Sequence, residues 1–176
     1  MRDLDRIARG DRQDEVLPNL LWDEVRSLFD PHLMGALPDV SVADASAEDW
    51  QTVFDLVRSQ GWAWEYRLDD VVTPLPKAVE ALGHPVDAEL RVWPATGVLT
   101  IFRTYSPDQI DFDVDLRQLQ GQTGVNVLCD LLRAIGQTLG KPVLLTPEGD
   151  SEQAVLGFDP RVDRVVLMAD PDPRTR

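Results

Sequence analysis

Four aspartates fall within one short stretch of this 176-residue chain, and three of them alternate with apolar residues. The stretch reads Asp108-Gln109-Ile110-Asp111-Phe112-Asp113-Val114-Asp115-Leu116. Strict alternation is the period of a half-buried strand. It sends Ile110, Phe112, Val114 and Leu116 into a core and leaves Asp111, Asp113 and Asp115 together on the other face, roughly 7 Å apart in successive pairs. Asp108 belongs to the preceding turn, Ser106-Pro107-Asp108. Like charges held this closely repel, so something must compensate them. Three roles fit such a row. It can be the solvated outer face of a sheet buried on one side. It can be a docking surface for arginines and lysines of a partner. It can hold a divalent cation or do acid–base work, as in a metal-dependent hydrolase or transferase. The third role lacks the loop geometry of an EF-hand, whose ligand string also needs a glycine and a final glutamate.

Other chemistry is sparse. The two histidines, His32 and His84, lie in Asp30-Pro31-His32-Leu33 and Gly83-His84-Pro85, a helix exit and a loop. With no second histidine four residues on and a single cysteine, no zinc set is expected. No G-x-S-x-G elbow is present, although a Ser-His-Asp arrangement can assemble from distant segments. No P-loop or G-x-G-x-x-G string occurs. Cys129 falls among apolar neighbours of a helical stretch and reads as a small hydrophobe. Of the five tryptophans, Trp93 stands before Pro94 at a hairpin end, where exposure is easiest. An aromatic beside acidic groups makes a good protein-binding anchor, with core packing as the alternative. The candidate partner-binding residues are therefore Asp108, Asp111, Asp113, Asp115 and Trp93. No catalytic residue, metal ligand or cofactor is assigned.

Charge points the same way. The chain carries 31 acidic against 17 basic Lys and Arg side chains, a net charge of −14. A direct nucleic-acid binder normally carries a basic patch; an acidic protein favours a cationic protein partner, because complementary fields speed encounter. Acidity also serves solubility alone. One cysteine permits no intrachain disulfide and fits a reducing compartment. The N-terminal residues contain no apolar h-region. Apolar runs such as Val165–Ala169 fall far short of the roughly 20 residues of a membrane helix. A cytoplasmic protein is expected.

The elements that must position these residues follow from periodicity. Residues 1–17 alternate Arg and Asp with few apolar groups and read as a polar arm; residues 18–169 form one domain; residues 170–176 read as a loose tail. Leu21, Val25, Leu28 and Phe29 recur at helical spacing, and Asp30-Pro31 stops them. Ser46 and Asp49 resemble a capping box ahead of the stripe Trp50, Val53, Phe54 and Val57, giving a helix over 46–60 that Gly61 ends. Trp62, Trp64, Tyr66 and Leu68 share one face of a strand. Pro74 to Leu82 fits a short helix. Leu90 and Val92 lie in a strand that turns at Pro94–Gly97 into Val98–Tyr105, a hairpin. A strand over 109–115 holds the aspartates. Val125, Leu128, Leu132, Ile135 and Leu139 make the buried stripe of a helix over 124–139, ended by Gly140. Strands near 143–145, 154–158 and 164–168 complete the chain. Short turns between successive strands predict an α+β fold, a largely antiparallel sheet with helices packed on one face.

Leu21-Trp22-Asp23-Glu24, the Gly61-Trp62 junction, the Asp111–Leu116 alternation and the leucine-rich helix after it together resemble small acidic bacterial proteins of the polymorphic-toxin immunity type. The resemblance is one of length, acidity and pattern over residues 18–169, with no motif matched residue by residue. It implies a non-enzymatic inhibitor that occludes a basic partner, such as a nuclease toxin, with an acidic face. The alternatives are the carboxylate enzyme and a regulatory or scaffold protein.

Overall fold

The computed structural model describes residues 20–84 and 87–169. The expected polar arm and loose tail lie outside the described residues. Among the described residues nine strands form one sheet: β1 (Asp39–Val42), β2 (Ala63–Leu68), β3 (Val71–Thr73), β4 (Ala88–Ala95), β5 (Val98–Arg103), β6 (Ile110–Val114), β7 (Val143–Thr146), β8 (Leu156–Asp159) and β9 (Arg164–Leu167). Their spatial order is β3-β2-β4-β5-β6-β1-β7-β8-β9. Every neighbouring pair is antiparallel. The helices are α1 (Trp22–Val25), α2 (Pro31–Met34), α3 (Ala47–Ser59), α4 (Ala78–Leu82) and α5 (Gly121–Leu139), with 3-10 turns at Arg26–Phe29 and Leu116–Gln118. The protein is an α+β fold built on an antiparallel sheet.

Alternation along the strands decides which side of the sheet is core. Leu90, Val92, Phe102, Ile110, Phe112, Val114, Val40, Val42, Val143, Leu145 and Phe158 are buried on the inner face. Phe102 and Phe112 stack there with ring centroids 4.4 Å apart. The two long helices close this face. In α3, Ser46 caps the N-terminus by accepting from the Asp49 N–H at 3.1 Å, and Trp50, Val53, Phe54 and Val57 are buried. The Trp50 indole donates to the Ser106 carbonyl at 2.9 Å, which ties the helix to the turn before β6. In α5, Gly124, Val125, Leu128, Leu132, Ile135 and Gly136 are buried. Gly140 ends α5 in the left-handed region at φ 65°, a conformation that costs glycine nothing. Gly136 is needed for another reason: a Cβ there would fall on the Phe158 ring of β8.

The segment from Leu21 to Phe29 is not the single helix its spacing predicts. One α turn gives way to a 3-10 turn, Asp30 is extended, and α2 restarts at Pro31 with Asp30 as its cap. A helix this short is marginal on its own. Proline also disfavours helical backbone in the residue before it, so burial of Val25, Leu28 and Phe29 sets the path instead. Two strands, β1 and β3, go beyond the sequence reading. The Trp62–Leu68 stripe is buried fully only at Tyr66; Trp64 is 37 % exposed. Strand β2 sits next to the edge strand β3, and burial fades there. Among the described residues no helix is long and apolar enough to cross a membrane.

Candidate functional site

The site lies on the outer face of the sheet, where the polar halves of the alternating strands meet. In β6 the side chains of Asp111 and Asp113 are half-buried on this face while Ile110, Phe112 and Val114 are buried on the other. Antiparallel register then decides their neighbours. Asp113 stands opposite Ile101 of β5 and Asp39 of β1. Asp111 stands opposite Arg103 of β5 and Ser41 of β1. Directly opposed Cβ atoms are about 4.5–5.5 Å apart. Arg103 reaches diagonally and forms an ion pair with Asp113.

Three carboxylates, Asp39, Asp111 and Asp113, thus share this face on β1 and β6, and Arg103 pairs with Asp113. Farther out on the same face, ion pairs lie within single strands. Arg67 pairs with Glu65 at 2.7 Å on β2, and Arg91 pairs with Glu89 at 3.0 Å on β4. Burial is the largest influence on Asp39 and lifts its carboxyl above the ordinary aspartate range; the charge of Asp113, a side-chain hydrogen bond with Asp113 and the charge of Asp111 add to it, against one backbone hydrogen bond from Gly149. Asp111 is raised as well, first by burial, then by Asp113, with the Gln109 amide donating to it at 2.7 Å and pulling the other way. For Arg103, burial opposes the charged form, but the hydrogen bond and charge of Asp113 outweigh it and hold the guanidinium above its usual value.

The other candidate residues are placed differently. Strand β6 ends at Val114, and Asp115 caps the 3-10 turn Leu116–Gln118 by accepting from the Arg117 N–H at 3.0 Å. Its carboxylate is also gripped by the Arg117 guanidinium at 2.8 Å, which holds it below the ordinary range. Asp115 thus does local work beside the row. Asp108 accepts from the Ser106 hydroxyl in the turn, while its backbone carbonyl accepts from the Ala45 N–H at 2.9 Å. Trp93 is half-buried in β4, opposite Ala63 of β2 and two residues beyond Arg91. Alternation puts it on the aspartate face, two strands from Asp113, or roughly 10 Å across the sheet. The fold therefore brings Asp111, Asp113 and Trp93 onto one face and adds Asp39 and Arg103. These two join the site through pairings no local pattern reveals.

The remaining reactive groups are elsewhere. Cys129 is buried in α5, and burial foremost pushes its thiol up to about 12. Its neighbour Asp130 adds to that shift. Such a thiol is inert. His32 lies in α2, where its backbone N–H donates to the capping Asp30 at 2.9 Å. Among the described residues no three or more His, Cys, Asp or Glu side chains are gathered to hold a metal ion. The carboxylates of β6 and β1 run along ladder rows and do not converge on a point. An apolar groove of about 550 Å³ borders the edge strand β9, lined by Leu20, Val162 and Arg164–Leu167. A charged groove of about 330 Å³ lies between Arg67, Asp69, Asp70, Asp87 and Glu89.

The chain was compared with protein-family models, with curated proteins and with solved structures. None matches. Any functional reading therefore rests on the chemistry of the outer face.

Proposed function

We propose that the protein is a binding protein whose outer sheet face docks a basic protein partner, in the manner of an inhibitor that occludes a toxin. The observation that carries this reading is the local charge imbalance at the centre of the sheet. Asp39, Asp111 and Asp113 share the outer face of β1 and β6, where the ion pair present is Arg103 with Asp113, whereas on β2 and β4 Arg67 pairs with Glu65 and Arg91 with Glu89. A net charge of −14 adds a long-range field of the same sign. Such a surface offers a partner's arginines charge-assisted hydrogen bonds with fixed geometry. Strand-borne carboxylates are held by the ladder, so little side-chain order is lost when they bind. Trp93 supplies an aromatic anchor at the margin of the same face.

The resemblance to immunity-type proteins suggests the partner class, a basic toxin with a cationic active-site groove. Occlusion needs no chemistry from the binder, only shape and charge complementary to that groove.

Site-specific photo-crosslinking tests the reading. A photoreactive residue replacing Ile101, between Arg91 and Asp113 on the outer face, should capture the partner in cells. The same residue at Thr52, on α3, should not. Equal capture from both positions, or capture from Thr52 alone, contradicts docking through the outer face.

A further inference from the structure

Strand β9 ends the sheet, and among the described residues it pairs with β8 alone. Its outer edge therefore presents backbone N–H and C=O groups that a further strand can use. The β8–β9 register is regular and β9 carries no proline, so neither a bulge nor a missing donor blunts the edge. The apolar groove of about 550 Å³ runs along it, lined by Leu20, Val162 and Arg164–Leu167. Val165 and Leu167 face the core side, opposite Phe158 and Leu156 of β8; Arg164 and Val166 face the outer side, opposite Asp159 and Gly157. Arg164 is the cation of this edge. Its ladder partner is Asp159, but Arg161 grips that carboxylate with two nitrogens, at 3.0 Å to Oδ1 and 2.7 Å to Oδ2. The neighbouring Asp163 instead accepts from the Gln137 amide of α5 at 2.7 Å. Among the described residues Arg164 makes no ion pair. An exposed guanidinium is thus left at one end of an apolar groove, beside an open strand edge.

We propose that β9 accepts an extended segment of another protein as a further strand, with apolar side chains in the groove and a carboxylate on Arg164. Strand addition of this kind takes affinity from main-chain hydrogen bonds and specificity from alternate side chains. Laid antiparallel to β9, the segment sends every second side chain over Val165 and Leu167. Its acidic residue then stands opposite Arg164, the first residue of β9, where a carboxylate and a guanidinium form charge-assisted hydrogen bonds. A second copy of this chain does not supply that carboxylate. A two-fold β9–β9 pairing keeps each face on its own side, so within β9 it opposes Arg164 to Val166, which carries no charge. The net charge of −14 also sets two copies against each other. Strands β7 and β8 separate this edge from β6 and β1, and its ligand is acidic and apolar where the outer face calls for a basic one.

Amide NMR of the full chain, titrated with two synthetic peptides, tests the site. The probes are acetyl-Thr-Val-Thr-Val-Glu-amide and the same peptide ending in Gln; in the antiparallel register their valines fall in the groove and their last residue on Arg164. Both should shift the amides of Leu20 and of residues 165–168. The Glu peptide should bind several-fold more tightly than the Gln peptide, and lose that advantage at high salt and in Arg164→Gln. Arg164 is exposed, so this variant should fold as the parent does. The proposal is overturned if neither peptide shifts β9, if the two peptides bind alike, or if Arg164→Gln keeps the preference for Glu. It is overturned equally if the edge has another occupant. Sedimentation would show this as a dimer that Leu167→Lys dissolves, and the titration as peptide binding that appears only once residues 1–19 are removed.

Discussion

At the scale of single residues, the aspartates of one short segment divide into groups with opposite dependence on pH. Asp111 has its folded pKa raised, chiefly by burial. Its contribution to stability is fully present below the unfolded pKa and is lost as pH rises through the folded value. The variant Asp111→Asn should therefore gain stability relative to the parent as pH rises from strongly acidic to neutral. Asp115 has its pKa lowered, first by its hydrogen bond from Arg117. Its contribution is present above the unfolded pKa and lost as pH falls through the folded value. Asp115→Ala removes a cap and should cost about 0.5–2 kcal/mol at neutral pH, a deficit that shrinks in acid. Urea denaturation of both variants across pH checks the two signs. Cys129, pushed up to about 12 by burial, should stay unmodified by a thiol reagent in the native protein and react only on unfolding. The burial of this thiol and the outward row of Asp111 and Asp113 were legible from sequence, because both follow from local periodicity. The role of Asp115 was not. It shares the alternation of its neighbours, but Arg117 two residues on offers its carboxylate a cap and an ion pair that outcompete continuation of the strand.

At the scale of elements, the two long helices show why period and capping can be read so directly. Ser46, the stripe Trp50–Val57 and the glycine stops at Gly61 and Gly140 each specify local geometry without help from distant residues. Strand β1 specifies almost nothing locally: four residues give only two alternations, and its neighbours β6 and β7 lie far along the chain. Asp39 could not be recognised as a site residue for that reason, and Arg103 could be read only as one polar position in an apolar strand. Close packing between α5 and β8 gives a quantitative test. In Gly136→Ala the new methyl meets the buried Phe158 ring. Overpacking of that kind costs about 1–3 kcal/mol, which should outweigh the roughly 1 kcal/mol of helix propensity that alanine adds. Ser46→Ala should cost about 1 kcal/mol by removing the α3 cap. Thermal melts should rank both below the parent, and a Gly136→Ala protein as stable as the parent would contradict the packing described for this contact.

At the scale of the whole molecule, the sheet separates its two tasks by face. The inner face, closed by α3 and α5, holds the fold together. The outer face carries ion pairs within β2 and β4 and, on β6 and β1, Asp39, Asp111 and Asp113 with Arg103 paired to Asp113. The large net charge was plain from composition. The meeting of Asp39 with Asp111 and Asp113 on one face was not, because that depends on strand order. In the proposed function, the face carrying Asp39, Asp111 and Asp113 docks a basic protein. The measurement that tests it most directly is the association rate of the partner captured through Ile101, taken over a series of salt concentrations for the parent and for Asp39→Asn/Asp111→Asn/Asp113→Asn. Steering between opposite charges is screened over about 8–10 Å at physiological salt. The parent should associate quickly at low salt and slow steeply as salt rises, while the triple variant, folded like the parent, should associate slowly and respond less to salt. A triple variant that binds as fast as the parent, with a rate in both that ignores salt, would contradict the account.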